Sequence, residues 1–197
     1  MMQNPIFCII GERGAGKTLC ATALVVSYTE VDKMKAITNY KTFGIKNCEN
    51  RAFSWIKSHL DEINDTVLVI DEAHVGADAY EFFHSGVKAL TDWITQIRKR
   101  NVTLFVITQR FETLAKRLRE QVNYIIQVTE TEVVGQPLVE IFDRGKAVGD
   151  DFVRDFILKG RQYFNKYDTN EIITDSTNDE KIKNPTKGAK ADRKSVV

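Results

Sequence analysis

The sequence predicts an α/β protein: a mostly parallel central sheet flanked by helices, with a β-hairpin late in the chain. Three observations predict it. Short apolar runs without polar alternation, the pattern of strands buried on both faces, recur along the chain. Between them apolar residues return every three or four positions, which is the helical period. The first apolar run ends in a glycine-rich stretch that leads directly into a helical pattern.

The elements follow in order. Ile6-Phe7-Cys8-Ile9-Ile10, stopped by Gly11, reads as a buried strand, and residues 19–28 read as a helix. A short strand is expected at 35–38. Phe53, Ile56, Leu60 and Ile63 form one face of a second helix, and 66–70 is another buried strand. Val87, Leu90, Ile94 and Ile97 repeat the helical spacing ahead of a strand at 102–107. Residues 124–128 and 138–142, separated by Gly135-Gln136-Pro137, form the hairpin. Strands alternating with helices give an α/β sandwich. Residues 1–173 form one domain. Residues 174–197, poor in large apolar groups, form a polar, flexible tail. From Ser176 onward this tail carries six Lys and Arg against three Asp and Glu, either a solvated end or a transient contact with nucleic acid or a partner.

Composition narrows the function classes. The chain has 197 residues, with 28 Lys and Arg against 27 Asp and Glu. A net charge of +1 excludes a uniformly basic nucleic-acid coat and an acidic disordered chain, so any nucleic-acid contact must be a local patch. Cys8, Cys20 and Cys48 share no metal-ligand spacing, and their odd count argues against a disulfide scaffold. Cys8 and Cys20 fall in an apolar run and a helix, as small buried hydrophobes do. No apolar run reaches the roughly 18 residues of a membrane span. The first five residues lack the basic region of a signal peptide, so a cytoplasmic protein is expected.

The strongest signal is Gly11-Glu12-Arg13-Gly14-Ala15-Gly16-Lys17-Thr18, which matches G-x-x-x-x-G-K-[ST] between a buried strand and a helix. Glycines let the backbone wrap closely and turn successive N–H groups toward phosphate oxygens. The helix that starts near Lys17 aims its dipole at the same anion. Lys17 is expected to reach the β- and γ-phosphates of ATP, and the Thr18 hydroxyl to ligate Mg²⁺. No adenine-reading motif is visible.

Val67-Leu68-Val69-Ile70-Asp71-Glu72 is an apolar strand ending in two carboxylates. Asp71 is expected to hold a water bound to Mg²⁺, which keeps most of its waters and needs few protein ligands. Glu72 is expected to polarise the water that attacks the γ-phosphate. His74 completes an Asp-Glu-Ala-His string, but the chain is too short for a two-motor helicase, and a satisfied surface or loop histidine is the simpler role. The strand at 102–107 ends in Thr108-Gln109. It is expected to lie between the strands that carry Gly11 and Asp71, setting the Gln109 amide beside the γ-phosphate. Arg98-Lys99-Arg100 closes a helix, where cations are favourable in any case; the sharper alternative makes Arg98 an arginine finger for a neighbouring subunit's nucleotide.

Together, the phosphate-binding loop, Asp71-Glu72 and the run from Arg98 to Ile107-Thr108-Gln109-Arg110 resemble the FtsK–HerA superfamily of RecA-like P-loop ATPases. The compact length and late hairpin are closest to the genome-packaging ATPases of tailless icosahedral viruses, archaeal ones included. The segment 163–173 is also similar to that group and to its zonular-occludens-toxin-like relatives in filamentous phages. The resemblance spans residues 5–173. It implies ATP hydrolysis coupled to movement of double-stranded DNA through a ring-shaped homo-oligomer, usually a hexamer, with Arg98 as the finger acting in trans and Gln109 as the sensor. It further implies capsid or membrane proteins at a portal vertex as partners, in the host cytoplasm or on the virion. Unlike larger members, this sequence has no recognisable DNA-clamping domain, and unlike the filamentous-phage relatives it has no membrane segment.

DNA contacts in such a ring go to phosphate. Lys116, Arg117 and Arg119, in the helix after Gln109, and the C-terminal lysines are the candidates. Three functional readings follow: a DNA translocase that packages a viral genome, an assembly or extrusion ATPase acting on protein, and a nucleotide-dependent switch with little hydrolysis. Glu72 speaks against the switch, because binding alone needs no water-polarising carboxylate.

Overall fold

The computed structural model describes residues 4–71, 88–97, 99–144 and 151–169. Eight strands form one sheet: β1 (Ile6–Ile10), β2 (Lys35–Thr38), β3 (Cys48–Asn50), β4 (Thr66–Ile70), β5 (Val102–Ile107), β6 (Tyr124–Thr129), β7 (Leu138–Asp143) and β8 (Asp151–Ile157). Their spatial order is β3-β2-β4-β5-β1-β6-β7-β8. All pairs from β3 to β6 are parallel, whereas β6–β7 and β7–β8 are antiparallel. The helices are α1 (Lys17–Glu30), α2 (Phe53–Ser58), α3 (Lys88–Gln96) and α4 (Lys116–Arg119). Among the described residues no helix is long and apolar enough to cross a membrane.

The continuous apolar strands are covered on both faces, as their composition requires. Successive residues of β4 face opposite ways: Leu68 and Ile70 pack with Trp93, Ile94 and Ile97 at α3, while Val67 and Val69 join Cys20, Ala21 and Val25 of α1. In β5, Leu104 and Val106 serve the first cluster and Phe105 and Ile107 the second. Each fully buried aliphatic side chain contributes roughly 1.5–3 kcal/mol. α1 thus lies on one face of the sheet, and α2 and α3 on the other. The Trp93 indole N–H donates to the Leu60 carbonyl at 3.0 Å, tying α3 to the chain just after α2.

The expected elements are present, with three differences. α2 ends at Ser58, so Leu60 and Ile63 join the core from the chain beyond the helix. β3 escapes a periodicity search because its three residues gain strand geometry only by pairing Cys48 with Ala36 and Asn50 with Thr38. The late hairpin is real, β6 pairing β7 from Tyr124–Asp143 to Thr129–Leu138, but a third strand, β8, extends it. A register shift between Ile141 and Phe142 leaves Val153 without a pairing partner in β7 and breaks the alternation. Arg154 and Phe156 pair with Ile141 and Val139 on one side, whereas Phe152 pairs with Phe142 on the other, so neither side reads as a clean apolar face. Of the third helix, Val87 lies outside the described residues. So do the expected ends of the domain and the tail, residues 170–197.

β5 lies between β1 and β4, as the sequence requires for Gln109 to reach the phosphate loop. The chain leaves β1 for β2 on one side and later steps over β1 from β5 to β6 on the other. Ligands of open α/β sheets bind at such a switch point, beyond the carboxyl ends of the strands. Gly11, Asp71 and Gln109 all stand at that edge.

Candidate nucleotide site

Gly11 leaves β1 with φ +153°, and a Cβ there would sit 2.3 Å from the Val128 carbonyl oxygen of β6. Only glycine lets the loop start this close to the neighbouring strand. Gly14 and Gly16 follow at φ +84° and +94°, a left-handed geometry that glycine adopts without steric cost. Gly16 caps α1 and offers no side chain to its first-turn N–H groups. Those donors face the loop and form an anion site with the helix dipole behind it. Ala15 is buried beneath the loop, whereas Glu12, Arg13 and Gly14 are exposed.

The Lys17 ammonium donates to the carbonyls of Gly11 at 3.0 Å and Glu12 at 2.8 Å, so its charge stands inside the loop. One residue on, the Thr18 hydroxyl donates to Asp71 Oδ2 at 2.6 Å. The loop and the end of β4 are therefore joined through two oxygens. Asp71 is 4% exposed, and its backbone is held from the side by β2's extension: its N–H donates to Asn39 Oδ1 at 2.6 Å and its carbonyl accepts from Asn39 Nδ2 at 2.9 Å.

An oxygen pair of this kind suits Mg²⁺, a hard cation that takes one or two protein oxygens and completes its shell with water and phosphate oxygens. Among the described residues no cluster of three or more His, Cys, Asp or Glu side chains could hold a metal ion unaided. Thr18 and Asp71 are the residues that would hold it.

Gln109 is exposed at the carboxyl end of β5, one residue beyond Thr108, which is buried and anchored by its N–H to the Ile9 carbonyl at 3.0 Å. A cavity of about 730 Å³ joins Gln109 and Arg110 to Gly11, Glu12 and Arg13 on one side and to Thr129 of β6 on the other. The structure thus brings Lys17, Thr18, Asp71 and Gln109 to one edge. Glu72, His74 and Arg98 lie outside the described residues. The expected helix after Gln109 is shorter than its basic pattern suggested: a 3₁₀ turn at Phe111–Thr113, then the single turn of α4. Lys116 and Arg117 are exposed on it, but Arg119 is half-buried and its carbonyl accepts from Arg144 Nη1 at 2.6 Å.

Sequence reasoning missed Asn39. Its only signal is the one that marks Asp71, a polar residue directly after a strand, and β2 is too short to make that signal stand out. It also missed Tyr40, which lies beside the site with its hydroxyl 3.2 Å from Thr22 Oγ1 of α1. Burial holds the Tyr40 phenol neutral, well above its usual range.

The sequence profile of the ATPase family associated with various cellular activities (AAA) matches residues 7–130, from β1 to the end of β6. Among solved structures, the N-terminal domain of zonular occludens toxin from Neisseria meningitidis is similar with a TM-score of 0.59 and 18% identity, over 85% of this chain and 100% of that one. The genome packaging NTPase B204 from Sulfolobus turreted icosahedral virus 2, in complex with ATP-gammaS, gives 0.57 and 17%, over 80% of this chain and 100% of that one. Its complex with AMPPCP gives 0.56 and 16%, over 78% and 99%. At such identities the likeness is one of fold. No curated protein matches the sequence.

Proposed function

Since the chain belongs to the ATPase family associated with various cellular activities, we propose that its turnover of ATP drives double-stranded DNA into a preformed viral capsid. The chain is a nucleotide-binding P-loop ATPase. The single observation behind the proposal is the convergence, at one sheet edge, of the Lys17 loop, the Thr18–Asp71 oxygen pair and Gln109. The shared fold with a genome packaging NTPase over 80% of the chain supports the choice of cargo.

In this reading the loop N–H groups and Lys17 hold the phosphates and fix their orientation. Thr18 and Asp71 would hold Mg²⁺, which would supply positive charge against the phosphates. Gln109 contacts the γ-phosphate side and passes the nucleotide's state to the 3₁₀ turn that follows it. Glu72 orients the attacking water, and Arg98 reaches a neighbour's nucleotide in a ring of copies of this chain, a hexamer by the resemblance. Lys116 and Arg117 supply phosphate contacts to DNA. Portal-vertex proteins of the capsid or membrane complete the assembly, in the host cytoplasm or on the virion.

ATPase activity measured with double-stranded DNA, with single-stranded DNA and without nucleic acid, over a range of salt, tests the proposal. Stimulation by the duplex that weakens as salt rises is expected. Turnover indifferent to DNA removes the translocase reading. The fold shared with the zonular occludens toxin domain over 85% of the chain favours, in that event, an assembly or extrusion ATPase acting on protein. Tight ATP binding with turnover at background leaves the nucleotide-dependent switch.

A further inference from the structure

A second cavity, of about 160 Å³, opens where the phosphate loop meets the β6–β7 hairpin. Gly14, Ala15 and Gly16 form one wall, together with Leu19, the residue that follows Thr18. Glu130, Thr131 and Tyr167 also line the cavity, and the side facing the loop presents three large apolar side chains: Val133 and Val134 from the hairpin and Phe164 from the segment after β8. These three side chains are 46%, 72% and 40% exposed, so the fold leaves large apolar groups in solvent around a single opening. Scattered apolar residues on a surface need no explanation, but a group rimming one cavity does.

The apolar wall is built, and glycines build it. Phe164 lies on Gly135, where a Cβ would come within 2.4 Å of the ring's Cζ, and Gly135 has φ +76°. Gly160 packs against Leu19, with the Leu19 Cδ2 only 2.5 Å from where a Cβ would stand. Its N–H donates to the Gly135 carbonyl at 2.8 Å. Within the hairpin loop the Thr131 hydroxyl donates to the Gln136 carbonyl at 2.8 Å, and the Gln136 N–H donates to the Val133 carbonyl at 3.0 Å. Arg161 Nε adds a bond to the Val134 carbonyl at 3.3 Å. The pocket is therefore formed in advance and tied to α1, the same helix that carries Lys17 and Thr18.

We propose that this cavity is the subsite for the purine base of the bound nucleotide, with the Phe164 ring as its stacking platform and Val133 and Val134 closing over the edge of the base. This inference rests on reading the loop as the ATP site. Three features select the occupant. Gly14, Ala15 and Gly16 line the cavity directly, so whatever fills it adjoins the phosphates. Its volume is close to the roughly 150 Å³ that accommodates one benzene-sized ring, and its open side leaves room for the fused ring and ribose. A partly exposed aromatic ring beside Val133 and Val134, with the polar groups of Glu130 and Thr131 in the same lining, favours a flat heteroaromatic ring that carries hydrogen-bonding edges. Base–aromatic stacking tolerates base identity because every base has a π-face. That accounts for the lack of an adenine-reading motif in the sequence.

Calorimetric titration of the full chain with Mg-ATP and with Mg-bound inorganic triphosphate, which has no base, tests the proposal. Phe164→Ala is expected to weaken ATP binding about tenfold, the order of one stacking contact, and to leave triphosphate binding unchanged. Phe164→Tyr is expected to restore ATP binding. In turnover, Phe164→Ala raises KM with kcat unchanged. Val134→Ser, a change at an exposed rim, is expected to weaken ATP but not triphosphate. Equal losses for both ligands, or no loss for ATP in either variant, overturn the base subsite. Lys17→Ala separates this from failure of the underlying reading: if it leaves triphosphate binding intact, the loop is not the phosphate site and both inferences fall.

Discussion

Asn39 grips both backbone groups of Asp71, accepting from its N–H at 2.6 Å and donating to its carbonyl at 2.9 Å. Asn39 is 6% exposed and Asp71 4%, so neither set of groups has water to fall back on. The pair extends the β2–β4 ladder by one side chain and sets the direction in which the Asp71 carboxylate leaves the sheet, toward Thr18. Asn39→Ala orphans two buried backbone groups, each worth about 1–3 kcal/mol. Urea denaturation is expected to show a loss of roughly 2–4 kcal/mol. The Mg²⁺ concentration for half-maximal ATPase activity is expected to rise as well. A stability loss with an unchanged Mg²⁺ requirement would mean that Asn39 supports the fold but does not aim Asp71.

Lys17 and Thr18 make different contacts and are expected to fail differently. Lys17→Ala removes the charge inside the loop and is expected to abolish measurable ATP turnover, a loss of about 10²-fold or more. Thr18→Ala removes the hydroxyl that meets Asp71 Oδ2 at 2.6 Å, while Thr18→Ser keeps it. Turnover near the native level in Thr18→Ser but not in Thr18→Ala, followed by phosphate release over a Mg²⁺ titration, checks the assignment of that oxygen.

The parts of this molecule legible in the sequence are those that carry their own periodicity. β1, β4 and β5 are continuous apolar runs because α1 and α3 cover both faces, and the phosphate loop is a local motif whose glycines act at their own positions. Asn39 is different: its role is set by the pairing of β2 with β4, across 32 residues of chain. Phe164 likewise gains meaning only because Gly135 and Gly160 bring two distant segments onto α1. Register and glycine contacts of that kind leave no local pattern to find.

Gly11 and Gly14 make a controlled pair. Both have positive φ, but a Cβ at Gly11 would meet the Val128 carbonyl at 2.3 Å, whereas at Gly14 nothing lies within 4 Å. Gly14→Ala is thus expected to cost only the left-handed strain of about 1–2 kcal/mol. Gly11→Ala adds a backbone clash that must push β1 from β6 and is expected to cost roughly 2–4 kcal/mol in all. Thermal or urea unfolding of both variants gives the comparison. Equal losses would mean that strain alone governs the loop's glycines.

Cys8 and Cys20 are buried in the two cores, and burial pushes each thiol from 9.0 up to about 12. In the unfolded chain they ionise near the ordinary value. The folded pKa is the higher one, so the stabilisation is fully present below pH 9 and is lost as the pH rises from about 9 toward about 12. Over that window the unfolded chain releases a proton that the folded chain retains, and each thiol lowers stability by up to roughly 1.4 kcal/mol per pH unit. Cys20→Ala removes one such proton. Its stability, measured by urea denaturation at pH 8 and pH 10.5, is expected to fall less steeply than that of the native chain, even though the variant starts lower because of the small cavity it leaves. At neutral pH both thiols stay protonated inside the folded protein, and alkylation by iodoacetamide is expected only once urea opens the cores. Rapid labelling of Cys20 in the native state would show that α1 opens away from the sheet.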